Sequence, residues 1–196
     1  GREGLAIDGS RFNQVRGNHF EGNAAGGIFL YKNCGEYVTS RPARWFHRRY
    51  GADGNVIEDN TFVGGQTGVW IAARMGENTF PMECSDPQYL PGYALDYADD
   101  NTVTGNTFDG VQYGVRVEDD GATVTGNVFT GADASYEAIL VGTKYRTSAL
   151  AQPVADATIT GNAATIAGNP NPYRWLYGHT GTTFTDNTSL GRTVGM

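Results

Sequence analysis

Asn101–Val117 reads NTVTGNTFDGVQYGVRV, and variants of it recur along almost the whole chain. Asn55–Ile71 gives NVIEDNTFVGGQTGVWI, Ala122–Val141 gives ATVTGNVFTGADASYEAILV, and Phe12–Leu30 gives FNQVRGNHFEGNAAGGIFL. Fainter copies begin at Ala157 (ATITGNAATIAG) and Thr182 (TTFTDNTSLG). Aligned on the asparagine of G-N-x-F, the repeat marks are Asn18, Asn60, Asn106, Asn127, Asn162 and Asn187. The shortest interval, Asn106 to Asn127, is 21 residues, and the longer ones contain insertions or undetected coils. Val15, Ile57, Val103, Val124, Ile159 and Phe184 share one apolar place; Phe20, Phe62, Phe108 and Phe129 share another. Alternation in pieces of three to five residues, punctuated by Gly and Asn, predicts short half-buried strands joined by tight turns.

A unit of that size, with short strands and no helix, cannot bury its apolar face alone. Stacking coil on coil solves the problem by pairing each strand in parallel with its equivalents above and below. The repeated asparagines suit turns, where the side chain bonds to backbone, and stacked amides can also bond to one another along the axis. The pattern N-x-[VI]-x-x-N-x-F…G-[VI]-x-[VI] resembles the right-handed parallel β-helix repeat of the pectate-lyase-like superfamily. The resemblance covers roughly residues 4–190. It implies an all-β, single-stranded right-handed parallel β-helix of about six coils, with long loops stacked on one side. That superfamily includes polysaccharide lyases, mannuronan C5-epimerases, glycoside hydrolases and phage tailspikes. The chain has no Asp-Pro-His-Asp motif, so the resemblance does not extend to epimerase activity.

The 196 residues are enough for one domain with a substantial core. A formal charge of −7 argues against general affinity for nucleic acid or anionic membrane. No apolar run approaches the roughly 20 residues that span a bilayer. Gly4-Leu5-Ala6-Ile7 already matches a late strand of the repeat, so the expectation is that residues 1–196 form the C-terminal part of a longer solenoid. Missing N-terminal coils or another chain would then cover the first coil.

In the second strand, Ile28, Val69, Val115 and Ile139 are expected to point inward, as are Leu30, Ile71, Val117 and Val141. Phe29, Trp70, Arg116 and Leu140 then form one outward row, and Tyr31, Ala72, Glu118 and Gly142 the next. Either loops cover these rows or they are a ligand platform. Three insertions leave just after this strand: Tyr31–Asp53, Ala73–Asp100 and Gly142–Ala155. Insertions at one point of a repeat fall on one side of the solenoid. The first is basic and aromatic, the second acidic and tyrosine-rich, so their charges either pair with one another or face a ligand. Side-by-side loops would also bring Cys34 and Cys84 into range of a disulfide; two free thiols remain the alternative. Asn169–His179 is expected to cover the solenoid end or one face, with its aromatics used for packing.

Aromatic faces stack on sugar rings, and the arginine fork recognises carboxylate or sulfate. The leading expectation is therefore an extracellular polysaccharide-active enzyme performing lyase-type cleavage of an acidic glycan. His47, Tyr50, Arg116 and Glu118 are the catalytic candidates. His47 has the best intrinsic pKa for acid or base work, Tyr50 or Tyr31 is its proton partner, and Arg116 and Arg48 clamp the sugar carboxylate. Tyr31, Arg48, Trp70, Arg74, Asp96 and Lys144 are the substrate-binding candidates. A glycoside hydrolase would instead set Glu118, Asp119 or Asp120 against Glu83, Asp86 or Asp96. A non-catalytic adhesin or tailspike-like segment would use the same surface for binding alone. No zinc-type spacing occurs; the acidic insertion is compatible with Ca²⁺ but lacks EF-hand spacing, so no cofactor is expected.

Overall fold

The structure, a computed structural model, describes residues 1–32, 50–73 and 97–195. Three parallel sheets run along one axis. Sheet A stacks β1 (Glu3–Asp8), β4 (Gly26–Tyr31), β7 (Thr67–Ile71), β10 (Tyr113–Val117), β13 (Glu137–Val141) and β17 (Tyr173–Trp175) in that order. Sheet B stacks β2 (Gln14–Arg16), β5 (Val56–Glu58), β8 (Thr102–Thr104), β11 (Thr123–Thr125), β15 (Thr158–Thr160) and β19 (Thr183–Thr185). Sheet C stacks β3 (His19–Glu21), β6 (Thr61–Val63), β9 (Thr107–Asp109), β12 (Val128–Gly131), β16 (Ala163–Ile166) and β20 (Thr188–Ser189). The chain visits A, B and C in turn and so climbs one coil per circuit, which makes the protein a parallel β-helix of six coils. At the far end β21 (Arg192–Thr193) folds back antiparallel on β20.

Each coil supplies the same residue to the same place in the core. The rings of Phe20, Phe62, Phe108 and Phe129 stack with centroids 5.0, 4.7 and 4.8 Å apart and nearly parallel planes. Glycine faces each ring because nothing larger fits. A Cβ on Gly68 would lie 2.4 Å from the Phe108 ring and 2.6 Å from the Gly114 carbonyl. Where the ring shrinks to Ala164, the facing position becomes Ala138, so the two changes offset each other in volume. Ile28, Val69, Val115 and Ile139 point inward as expected, together with Leu30, Ile71, Val117 and Val141.

The asparagines form a second axial stack. Asn18, Asn60, Asn106, Asn127, Asn162 and Asn187 pass an Nδ2-to-Oδ1 hydrogen bond from coil to coil at 2.9–3.1 Å. Each Oδ1 after the first also accepts the backbone N–H of the preceding asparagine, and Nδ2 also donates to a sheet B carbonyl of the coil before, as Asn106 does to Ile57. An amide with this many partners is fully satisfied out of water. A shorter ladder joins Asn13, Asn55 and Asn101 and stops where Ala122 takes that place.

The corner between sheets A and B carries a third stack. Phe12, Gly54, Asp100, Gly121, Asp156 and Gly181 occupy it in successive coils, all with φ between 57° and 67°. Each of the first five donates its N–H to the next coil, as Gly54 does to Asp99 and Asp100 to Asp120. Glycine alternates with a larger residue that folds over it: a Cβ on Gly121 would lie 2.1 Å from Asp100 Oδ1. All three insertions end at this corner. The third differs from expectation by holding a helix, α1 (Lys144–Leu150). Asn169–His179 differs too, since Tyr173–Trp175 is the sixth strand of sheet A and not a cover. Its Y-R-W alternation turns Tyr173 and Trp175 inward, where both pack edge-on against Phe184 and replace the missing phenylalanines. No helix among the described residues is long and apolar enough to cross a membrane.

Candidate functional site

The outer faces of the three sheets differ in chemistry. Sheet B presents threonine pairs in coil after coil: Thr102 and Thr104, Thr123 and Thr125, Thr158 and Thr160. Short polar β-branched residues are ordinary for a solvated sheet face. Sheet A instead aligns Phe29, Trp70, Arg116, Leu140 and Arg174 in one register row. Trp70 meets Phe29 edge-on at 5.1 Å, and the Arg116 guanidinium lies 4.7 Å over the Trp70 ring. Arg116 Nη2 also donates to Glu118 Oε1 at 2.5 Å. Strand pleating makes this possible, because Glu118, the first residue beyond β10, continues the alternation and lies on the same face as Arg116.

Glu118 lies on the outer face yet is only 3% exposed. Burial pushes its carboxyl pKa up, and the attraction of Arg116 opposes the shift without cancelling it. The Trp70 indole N–H favours the ionised form of Glu118 but meets no hydrogen-bond geometry, and Arg116 Nε likewise has no partner among the described residues. At the next coil Arg174 donates to Glu137 at 2.9 Å, and burial raises the Glu137 pKa.

The structure therefore brings Trp70, Arg116 and Glu118 together as the sequence suggested. Tyr31 is in the same sheet, 6% exposed, with its hydroxyl donating to Glu3 at 3.3 Å. Tyr50 sits at the A–B corner with Arg11 over its ring at 4.6 Å, and Lys144 is exposed on α1. His47, Arg48, Arg74 and Asp96 lie outside the described residues, as do Cys34, Cys84, Glu83 and Asp86.

A second cluster was named in the sequence only in part, through Asp119 and Asp120 as hydrolase carboxylates; their grouping with Asp99 and Arg146 was not foreseen. Asp99, Asp119 and Asp120 place carboxylate oxygens within 4.8 Å of one another at the A–B corner. Arg146 of α1 bridges Asp119 and Asp120, and its side chain is almost wholly buried. The corner carries Asp53, Asp99-Asp100, Asp119-Asp120 and Asp156 just before β5, β8, β11 and β15, four of the six sheet B strands. That recurrence is the signal that could have revealed it.

Taken together, these features define an all-β solenoid protein with one chemically distinct face. Residues 47–196 match the family described as Periplasmic copper-binding protein (NosD), and the chain belongs to that family, which is of right-handed parallel β-helix type. No curated protein and no solved structure matches the chain significantly. The described residues do not fit copper. Copper sites use imidazole, thiolate or thioether donors, whereas His19 pairs with Glu21 and His179 packs on Trp175. The one grouped donor set among the described residues is all carboxylate, and Arg146 already supplies positive charge there.

Proposed function

We propose that the outer face of sheet A binds an acidic polysaccharide outside the cytoplasm, and that the reaction it serves is lyase-type cleavage. The Phe29–Trp70–Arg116 row carries this reading, because aromatic rings and a guanidinium align there over three successive coils, whereas sheet B presents Gln14 and Arg16, then Val56 and Glu58, then threonine pairs. Aromatic rings offer stacking surface to sugars. Arg116 spends Nη2 on Glu118 and its Nε is buried, which leaves Nη1 for a sugar carboxylate. Neutralising that carboxylate lowers the cost of removing the adjacent carbon-bound proton. The base is His47 or Tyr50. Glu118, whose carboxyl pKa burial raises against the pull of Arg116, serves as the acid toward the leaving glycosidic oxygen.

The test exposes purified protein to a panel of acidic polysaccharides and follows the ultraviolet absorbance of unsaturated uronate. Trp70→Ala should weaken binding, and Glu118→Gln should bind but release no product. Reducing ends without that absorbance would indicate hydrolysis, and binding without product a binding module. No binding by the wild type would refute the reading.

Copper carriage is a second reading, favoured by the family match and by where the soft donors fall. Cys34, His47, Met75, Met82 and Cys84 all lie in the first two insertions, which leave adjacent strands of sheet A. Competition titration with a Cu(I) chelator under reducing conditions tests it. Stoichiometric binding lost in a Cys34→Ser/Cys84→Ser double variant would support it; failure to compete with the chelator would dismiss it.

A further inference from the structure

The carboxylate cluster ties all three insertions to the short link between β10 and β11 that carries Asp119 and Asp120. The first insertion returns through Asp53, whose Oδ1 accepts the Asp99 N–H at 3.2 Å. The second returns through Ala98 and Asp99, and Ala98 N–H donates to Asp119 Oδ2 at 2.8 Å. The third is held at both sides: Arg146 grips Asp119 and Asp120, and Ala155 N–H donates to Asp120 Oδ1 at 2.6 Å. Asp119 is completely buried.

Counting charge shows why this arrangement depends on protons. Asp99, Asp119 and Asp120 face one guanidinium from Arg146, while Arg11 pairs with Asp53 at 2.7 Å and Lys32 adds a weaker attraction to Asp53. Fully ionised, the trio would leave two uncompensated negative charges around a dry carboxylate. Closely packed carboxylates avoid this by retaining a proton. We propose that the Asp99–Asp119–Asp120–Arg146 cluster is a proton-operated latch that fastens α1 and residues 97–100 to the corner and loosens as pH rises.

The direction follows from linkage. Burial, reinforced by Asp53 and Asp120, raises the Asp99 pKa to about 6 although Asp119 and Arg146 pull it down; burial and Asp99 hold Asp119 well above the usual carboxylate range. The closed latch thus binds a proton more tightly than the open one. It is firmest below the ordinary value of 3.8 and weakens as pH climbs through about 6. With those two values, Asp99 alone favours opening on the order of 25-fold more at pH 7.5 than at pH 4.5.

Hydrogen exchange of the intact protein at those two pH values, corrected for intrinsic exchange rates, provides the test. Peptides covering residues 97–100 and 143–155 should lose protection at pH 7.5, while strands β8 to β12 keep theirs. Asp99→Asn, which mimics the protonated acid, should stay protected at both. Arg146→Met should expose α1 at both. Equal protection of the wild-type corner at the two pH values would overturn the latch, as would an Asp99→Asn variant that follows the wild-type pH dependence.

Discussion

Replacing Asn106 with alanine should be far more damaging than the same change at Asn18, although both hold the same place in the repeat. Asn106 Oδ1 accepts two hydrogen bonds, from the backbone and side chain of Asn60 at 2.9 and 3.0 Å. Its Nδ2 donates to Asn127 Oδ1 at 3.0 Å and to the Ile57 carbonyl at 2.9 Å. All of these groups are buried, so truncation strands partners that water cannot reach. At roughly 1 kcal/mol for each of these bonds, with a further penalty for stranded groups, the loss is about 3–6 kcal/mol. Asn18 is exposed and only donates, to Asn60 and to the Arg16 carbonyl, so its loss should cost about 1 kcal/mol. Urea unfolding followed by circular dichroism would measure both, with the slope compared between variants to check that the same surface unfolds. Equal losses at the two positions, or a loss below about 1 kcal/mol at Asn106, would refute the claim that the ladder is an energetic spine.

Gly68→Ala should destabilise by about 3 kcal/mol or more because its Cβ has no room, whereas Ala138→Gly should cost about 1 kcal/mol, measured by the same unfolding curves. Phe12→Asn should stabilise the first coil by about 0.5–1 kcal/mol, since the ring is 76% exposed and the residue is left-handed; a lower melting temperature would contradict this. Tyr173 donates to the carbonyls of Asn162 and Thr188, and burial raises its pKa above the usual phenol value. The folded protein holds that proton more tightly than the unfolded chain. Stability of the last coils should therefore fall as pH rises beyond about 10, and an ultraviolet titration should show one tyrosine ionising only with unfolding. In Tyr173→Phe that late step should vanish.

Most of the solenoid was legible because its determinants recur. Six asparagines and four phenylalanines at matched places could be aligned without knowing any contact, and the inward and outward rows of sheet A followed from alternation. The last coils were harder. Ala164 and Ser189 break the phenylalanine pattern, and the rings that replace them arrive from Tyr173 and Trp175 in a different strand, a substitution visible only once β17 is paired with β13. The outer row was readable in composition but not in state: pleating showed that Arg116 and Glu118 share a face, not that they bond or that Glu118 is dry. The carboxylate latch was hidden for another reason. Its members are spread from Asp99 to Arg146, and only the stacking of three coils gathers them.

The left-handed corner stack bears on how such a chain can change over time. Neighbouring coils bond to one another through their backbones on both sides of the point where insertions enter, so the pitch does not depend on what is spliced there. The link from Val117 to Thr123 shows the bare minimum, and the segment from Ile71 to Thr102 shows a long guest at the same address. Guests can be lengthened, exchanged or deleted while the column beneath keeps its rise. The protein is in this sense a rack with interchangeable inserts, and new specificities could be grafted at that corner without redesigning the core.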